Sequence, residues 1–440
     1  MRMPLDTGRR TTRERWIFLA LVGLCVMTRV ALVAPSDPSR VMTRWSNMGD
    51  ASLYDRFGWN LASRGVLGID DRPSAFVMPG YPLLVAAVYR VTGHVPGAVR
   101  SVQIVLSVLT VLALGRLAGG LGGHRAETFA IAAGAVYPFF LYFVPEILTE
   151  TLFLSCFSGM LYTAARLGRT GNLRDGVFHG VCLAAAVMTR PVALAMEPGV
   201  LLLARPWDRE RRGARLAGLL FALGILCLAW GGWIARNRSI FGELVPFDTH
   251  GGFTLYGSQL IARGLDHKTV VRTTIKELGY YRYDIEKGTL PGGPRGELEA
   301  DRRAHERALE MIRQDRFAYF ARIFKNVARL WFNLDFGEID QKASGLGLVA
   351  LAGWCSYLPV ALLGLAGLRR TYRNGRSEIF AASLWVLAMT TLLFGLMHAG
   401  KRYRVATIDP MLLTLAAWEA DQRFREWTAR AKILRIRPRD

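Results

Sequence analysis

The sequence predicts an all-α polytopic membrane protein with about ten or more crossing helices and a small outward-facing α or α/β domain. Three observations predict it. Hydrophobic residues make up 51% of the 440 positions. They cluster into runs that approach the ~20 residues a helix needs to span a ~30 Å hydrocarbon core. The basic residues concentrate in alternate connections, so one face of the membrane receives most of the positive charge.

Taken in order, the spanning segments fall at 16–35, 97–118, 126–142, 150–167, 176–190, 191–205, 214–234, 345–368, 377–397 and 404–419. The pair around MTRP, residues 188–191, is short on both sides and also suits a kinked hairpin or re-entrant element. YPLLVAAVYRV, from Tyr81, is too short to cross and is placed at the interface or partly inserted. The first run lacks a small-residue cleavage site and ends in APSDP, so it reads as a membrane helix and not as a cleavable signal.

Orientation follows from charge. Arg2, Arg9, Arg10, Arg13 and Arg15 precede the first span. The same side then receives Arg166, Arg169 and Arg174, the stretch RPWDRERRGAR, the loop LRRTYRNGR and the tail REWTARAKILRIRPRD. Agreement across five loops assigns that side to the cytoplasm. It also accounts for the net charge of +21 without nucleic acid. The expected organisation is a transmembrane catalytic module over 1–235 with a first outward loop at 36–96. An outward domain at 236–344, C-terminal membrane helices at 345–419 and a basic cytoplasmic tail at 420–440 follow. The end of the outward segment, ELEADRRAHERALEMIRQDRFAYFARIFKNVARLWF, reads as one long helix.

The five cysteines lie inside apolar runs without metal-ligand spacing, as packing residues do. The seven histidines are scattered, with His250 and His398 on the outward side and no H-E-x2-H spacing. A Walker loop and a Rossmann glycine fingerprint are both missing, and the cytoplasmic loops are too short to build a nucleotide site. Arg29, Arg100, Arg190 and Glu197 interrupt apolar runs. Each costs ~2.5–3.5 kcal/mol at mid-span on insertion scales, so they are expected to face the bundle or a wet cavity, with Arg190 and Glu197 pairing across the MTRP turn.

In the first outward loop Asp50 follows a glycine and opens ASLYDRFGWNLASRG, whose Leu53, Phe57 and Leu61 share one helical face. An aspartate there also suits a helix N-cap. The pattern GD-x3-Y, then P-G-Y-P and the Arg100/Gln103 pair, resembles the polytopic glycosyltransferases of the GT-C fold. It is most similar to the family 39-like relatives of dolichyl-phosphate-mannose protein mannosyltransferases. The resemblance continues, in order, at PFFLYFVPEILTETLF (138–153), MTRPVAL (188–194), RNRSIFGELVPFDTHGGFTLYGS (236–258) and KRYRVATIDPMLLTLAAW (401–418).

The resemblance implies inverting transfer of a sugar from a polyprenyl-phosphate donor to an acceptor hydroxyl on a glycan, lipid or protein, at the outer face of the plasma (inner) membrane. The family's acid in the first outward loop falls on Asp50, the expected general base, and Glu150 and Glu146 are the second acidic candidates. Because phosphate is already a good leaving group, a second catalytic acid is not obligatory. Cations near the outer headgroup plane would hold the donor phosphate: Arg402, Arg404, Lys401, Arg236 and Arg100. Tyr54, Tyr81, Gln103 and His250 complete the expected substrate-binding set. Where the family carries an acid before the final R-Y, this chain has Ala399, Gly400 and Lys401. A divalent metal stays open, and two alternatives remain: a transporter or flippase of lipid-linked sugars, and a non-catalytic binder of lipid-linked glycan.

Overall fold

A computed structural model describes residues 10–42, 50–263, 265, 267–279, 292–332, 346–397 and 400–436. Most of these residues are helical. The first helix, α1 (Thr12–Val33), is followed by the first-loop helix α2 (Asp50–Arg64), a two-residue hairpin β1 (Gly68–Ile69) and β2 (Arg72–Pro73), and α3 (Gly80–Thr92). The central bundle then comprises α4 (Pro96–Gly122), α5 (His124–Val136), α6 (Pro138–Tyr142), α7 (Thr149–Thr170), α8 (Leu173–Thr189), α9 (Val192–Ala204) and α10 (Arg212–Phe241). The segment expected outward contributes α11 (Gly251–Ala262), α12 (His267–Leu278), α13 (Gly293–Gln314) and α14 (Arg316–Phe332). The chain closes with α15 (Leu346–Arg373), α16 (Ser377–Leu396) and α17 (Lys401–Ile436).

Each predicted apolar span falls on helix, except that the span expected at 126–142 is two helices, α5 and α6, broken at Tyr137 before Pro138. Among the described residues four helices, α1, α4, α10 and α16, are long and apolar enough to cross a bilayer by length and composition alone. Glu150 in α7 and Arg404 and Asp409 in α17 are ionisable residues inside predicted apolar spans. The apolar helices are those of a membrane protein. Arg29 faces the bundle as its cost in lipid requires: its guanidinium donates to Ser107 Oγ at 3.0 Å and to the Ala135 and Gly134 carbonyls at 2.8 and 2.9 Å. All five cysteines are free thiols.

Three expectations are refined. The MTRP segment does separate two short helices, because Pro191 disfavours helical backbone at Arg190, which adopts φ −149° and ψ 118°. The predicted single helix before residue 332 is two. It breaks at Asp315, whose Oδ1 accepts from the Ala318 N–H at 2.9 Å and starts α14 afresh. The basic segment expected from 420 continues α17 as helix to Ile436, with most of its described side chains exposed.

Two apolar cores organise the protein. The larger runs through the bundle, from Val111 and Leu114 of α4 through Phe153 and Phe157 of α7 to Leu412 and Trp418 of α17. The second joins the first loop to the 236–344 segment: Leu53, Phe57 and Phe76 pack with Trp233, Tyr256, Ala300, Ala304 and Met311. Ala300, Ala304 and Ala308 place small residues along one stripe of α13. Among the described residues the regular secondary structure of this segment is all helix.

Candidate active site

The charged groups at the end of the bundle that carries the first loop come from four helix ends. Asp50 and Glu150 lie in the first turns of α2 and α7. Arg402 lies in the first turn of α17, and Arg190 is the residue after α8. Helices α7 and α8 are joined by a tight turn at Gly171, whose φ of 61° suits glycine, so α8 returns Arg190 to the level at which α7 began. Pro191 then swings Arg190 out of the helix and toward the start of α7.

These four groups form one continuous ionic chain. Arg402 Nη1 donates to Asp50 Oδ2 at 2.9 Å, and Arg402 Nε donates to Glu150 Oε1. Glu150 Oε1 also meets Arg190 Nη2 at 2.7 Å. Arg190 is held in turn by Thr149 Oγ1, which accepts from its Nε and Nη2 at 3.0 and 2.7 Å. Glu150 is the buried centre at 1% exposure, while the Asp50 and Arg402 side chains keep 28% and 24%. Glu150 therefore sets the position of both arginines, and the Asp50 end is the one open to solvent. Tyr403 stacks on Phe394 beside this chain and lies 5.8 Å beneath the Arg190 guanidinium.

Aromatic residues from α2 and α3 line the same end. Tyr54 lies one turn after Asp50 and meets the Tyr81 ring edge-on at 5.3 Å. Burial beside the Asp50 carboxylate raises the Tyr54 hydroxyl well above the ordinary phenol range. The P-G-Y-P motif fits flush against the MTRP turn. A Cβ on Gly80 would lie 2.7 Å from Thr189 Oγ1 and 2.8 Å from the Met188 carbonyl.

Several expected ligands instead build the scaffold. Arg100 Nε donates to the Pro145 carbonyl at 2.8 Å. Its terminal nitrogens donate to the carbonyls of Asp37, Arg40 and Val41 at 2.6–3.2 Å. It clamps two loops together and is 1% exposed, which leaves it no face for a donor phosphate. Gln103 accepts from the Tyr81 hydroxyl at 2.7 Å and donates to the Val144 and Glu146 carbonyls, so both side chains are fully used inside. Glu146 lies in the same buried layer, within electrostatic range of Arg100.

Arg404 is two residues beyond Arg402, about 200° around the helix, and so points into the core. It pairs with Asp409 at 3.1 Å and lies over the rings of Phe139 and Tyr357 at 4.5 and 3.9 Å. Arg236 donates to the Ser74 and Leu67 carbonyls at 3.0 and 2.9 Å, bracing the first-loop hairpin against α10. His250 stacks with Phe76 and Phe253 in the second core. Lys401 opens α17, while its side chain, Gly49 and His398 lie outside the described residues.

The expected Arg190–Glu197 pair does not form. Glu197 meets His179 Nε2 at 2.9 Å in the bundle core, and Arg190 belongs to Glu150. The sequence carried a signal for this: alternating crossings bring the end of one span back to the start of the one before. A metal finds no ready ligand set. Among the described residues no three His, Cys, Asp or Glu side chains converge, and Asp50 and Glu150 share a guanidinium instead.

This architecture defines a class. Archaeal oligosaccharyltransferase AglB from Archaeoglobus fulgidus, in complex with an inhibitory peptide and a dolichol-phosphate, is similar over 98% of this chain and 53% of that one. The identity is 14% and the TM-score 0.50. The apo form of the Archaeoglobus fulgidus oligosaccharyltransferase covers 96% and 52% at 14% identity, with a TM-score of 0.51. The form tethered to an acceptor peptide covers 91% and 49% at 15% identity, with a TM-score of 0.50. The chain thus has the fold of the GT-C membrane glycosyltransferases, and it spans about half the length of these structures. Residues 71–233 match the family described as dolichyl-phosphate-mannose-protein mannosyltransferase. No curated protein matches the chain.

Proposed function

We propose that this protein is an inverting glycosyltransferase that moves a sugar from a polyprenyl-phosphate donor to an acceptor hydroxyl at the outer face of the plasma membrane. The observation that carries the reading is the placement of Arg402 between Asp50 and Glu150, with Arg190 on the other side of Glu150. An accessible carboxylate stands next to two guanidinium groups at the mouth of the bundle, and direct displacement requires those two functions side by side.

In the proposed reaction the acceptor hydroxyl gives its proton to an Asp50 oxygen as its own oxygen bonds to the anomeric carbon. The bond from that carbon to the phosphate oxygen breaks, and the electron pair leaves on the phosphate. Arg402 and Arg190 would receive the new negative charge, with Glu150 holding both in place. The Tyr54 ring, backed edge-on by the buried Tyr81, offers an apolar wall for the sugar.

The outward placement of this end rests on the basic loops, which gather at the opposite end of the same helices. The test is transfer of labelled sugar from a polyprenyl-phosphate donor in membranes that carry the protein. Transport of the donor with no transfer product would favour the flippase alternative, and donor binding with neither would favour a non-catalytic binder.

A further inference from the structure

A cavity of about 430 Å³ opens at the far end of the bundle, and the transfer reaction does not use it. Arg116, Arg166, Arg169 and Arg211 line it, with Glu127 and Tyr162. Its distance from the site follows from the helices they share. Gln103 and Gly119 are sixteen residues apart in α4, and Glu150 and Arg166 are sixteen apart in α7. At ~1.5 Å per residue, each pair is separated by ~24 Å. The cavity therefore lies on the side that the basic loops assign to the cytoplasm.

Its electrostatics are unbalanced. Glu127 is shared by Arg116 at 3.2 Å and by Arg10 at 2.7 Å. Arg166 pairs with Asp175 at 2.8 Å, and Arg211 Nη1 donates to the Thr170 carbonyl at 2.7 Å. Arg169 is half-buried and has no hydrogen bond or ion pair among the described residues. Four arginines and one carboxylate line the cavity. Counting their ion-pair partners Arg10 and Asp175, which do not line it, leaves three positive charges in excess around a space large enough for a headgroup. Bringing that many guanidinium groups together costs energy unless an anion joins them.

The neighbouring surface is apolar. Arg10 and Arg116 lie over the Phe18 ring at 3.8 and 5.6 Å, and α1 leaves Trp16 and Leu19 exposed at 66% and 55%. A group that enters here meets cations at its head and a greasy helix alongside.

We infer that this cavity is a second, non-catalytic anion site that takes a phosphate group at the end of the bundle opposite Asp50. Arg169 and Arg211 supply the guanidinium grip. A phosphodiester of an anionic membrane lipid is one source of that group and free phosphate is the other. Basic pockets between membrane helices on the cytoplasmic side suit such headgroups, and planar guanidinium groups grip phosphate by paired hydrogen bonds.

The test uses the full chain purified in detergent and native mass spectrometry with dioleoyl phosphatidylglycerol, dioleoyl phosphatidylcholine or inorganic phosphate. Retained phosphatidylglycerol that falls by about tenfold in Arg169→Gln/Arg211→Gln, the loss of one or two charge-assisted contacts, supports a lipid source. Phosphatidylcholine adducts should not change. Saturable retention of inorganic phosphate that the same substitutions abolish supports the soluble source. Equal retention of both anions by wild type and variant overturns the proposal. If the double variant does not fold, Arg169→Lys is measured instead, together with competition by inorganic phosphate against chloride on the wild-type chain. Competition with reduced retention supports the site, whereas no competition and unchanged retention refute it.

Discussion

Asp50→Asn separates the chemistry of the site from its architecture. The amide keeps the size of the carboxylate, and its oxygen can still accept from Arg402 Nη1, which now bonds at 2.9 Å. What disappears is the negative charge that would take the acceptor proton. The pair it forms with Arg402 is about a quarter exposed on each side, so its loss should cost only ~1 kcal/mol of stability. Loss of a positioned general base typically costs ~10²–10⁴ in rate. The expected result is a fall of more than ~100-fold in transfer of labelled sugar, with a melting temperature within ~4 °C of wild type. Glu150→Gln is the contrasting variant. That side chain is 2% exposed and serves two arginines, so removing its charge should cost ~3–5 kcal/mol and be felt first as lost stability. A well-folded Asp50→Asn protein that transfers sugar within about threefold of the wild-type rate, far short of the loss expected for a general base, would falsify the assignment of Asp50.

Other outcomes follow from the surrounding structure. Gly80→Ala places a methyl 2.7–2.8 Å from Thr189 and the Met188 backbone, and should lower stability by ~1–3 kcal/mol in a thermal melt while displacing Tyr81. Arg404→Met leaves the fully buried Asp409 with the Tyr137 hydroxyl but no counter-charge, at a cost of ~3–5 kcal/mol. Adding Asp409→Leu to it should restore most of the loss, and failure to do so would contradict a structural role for the pair. Burial, with the nearby Asp301 and Glu297 carboxylates, pushes the Asp248 carboxyl up to about 7. The folded state then holds a proton that the unfolded chain releases near its ordinary value of 3.8, so this group's contribution to stability declines as pH rises toward 7 and levels off above it. Asp248→Asn should flatten that decline and gain stability relative to wild type at about pH 8 in parallel melts, and an unchanged slope would show that Asp248 does not cause it.

Much of this protein is written in local pattern. Bilayer-length apolar runs form helices because no other backbone state satisfies its polar groups in lipid, and every predicted span falls on helix, with only 126–142 broken in two, at Tyr137. The charge of the loops and the motif order pointed to the same end of the bundle. The family resemblance singled out Asp50, Glu150 and Arg402, and each lies in the first turn of a helix at that end.

Side-chain direction was not legible. Arg402 and Arg404 belong to one motif, yet one reaches the site and the other the core, because two helical residues differ by about 200° and only the neighbours determine which side is outward. Arg100 and Gln103 read as ligands and became braces, since the carbonyls that occupy them come from loops distant in the chain. Arg190 was matched to the acid nearest in sequence, whereas the fold gave it Glu150, far earlier in the chain, and gave Glu197 to His179. Sequence by itself determined the helices, their order and which ends share a face, all of which depend on composition within a few turns. The tertiary structure decided the pairing of buried charges, because a charge removed from water is neutralised by whatever lies within a few ångströms, and distance along the chain does not measure that.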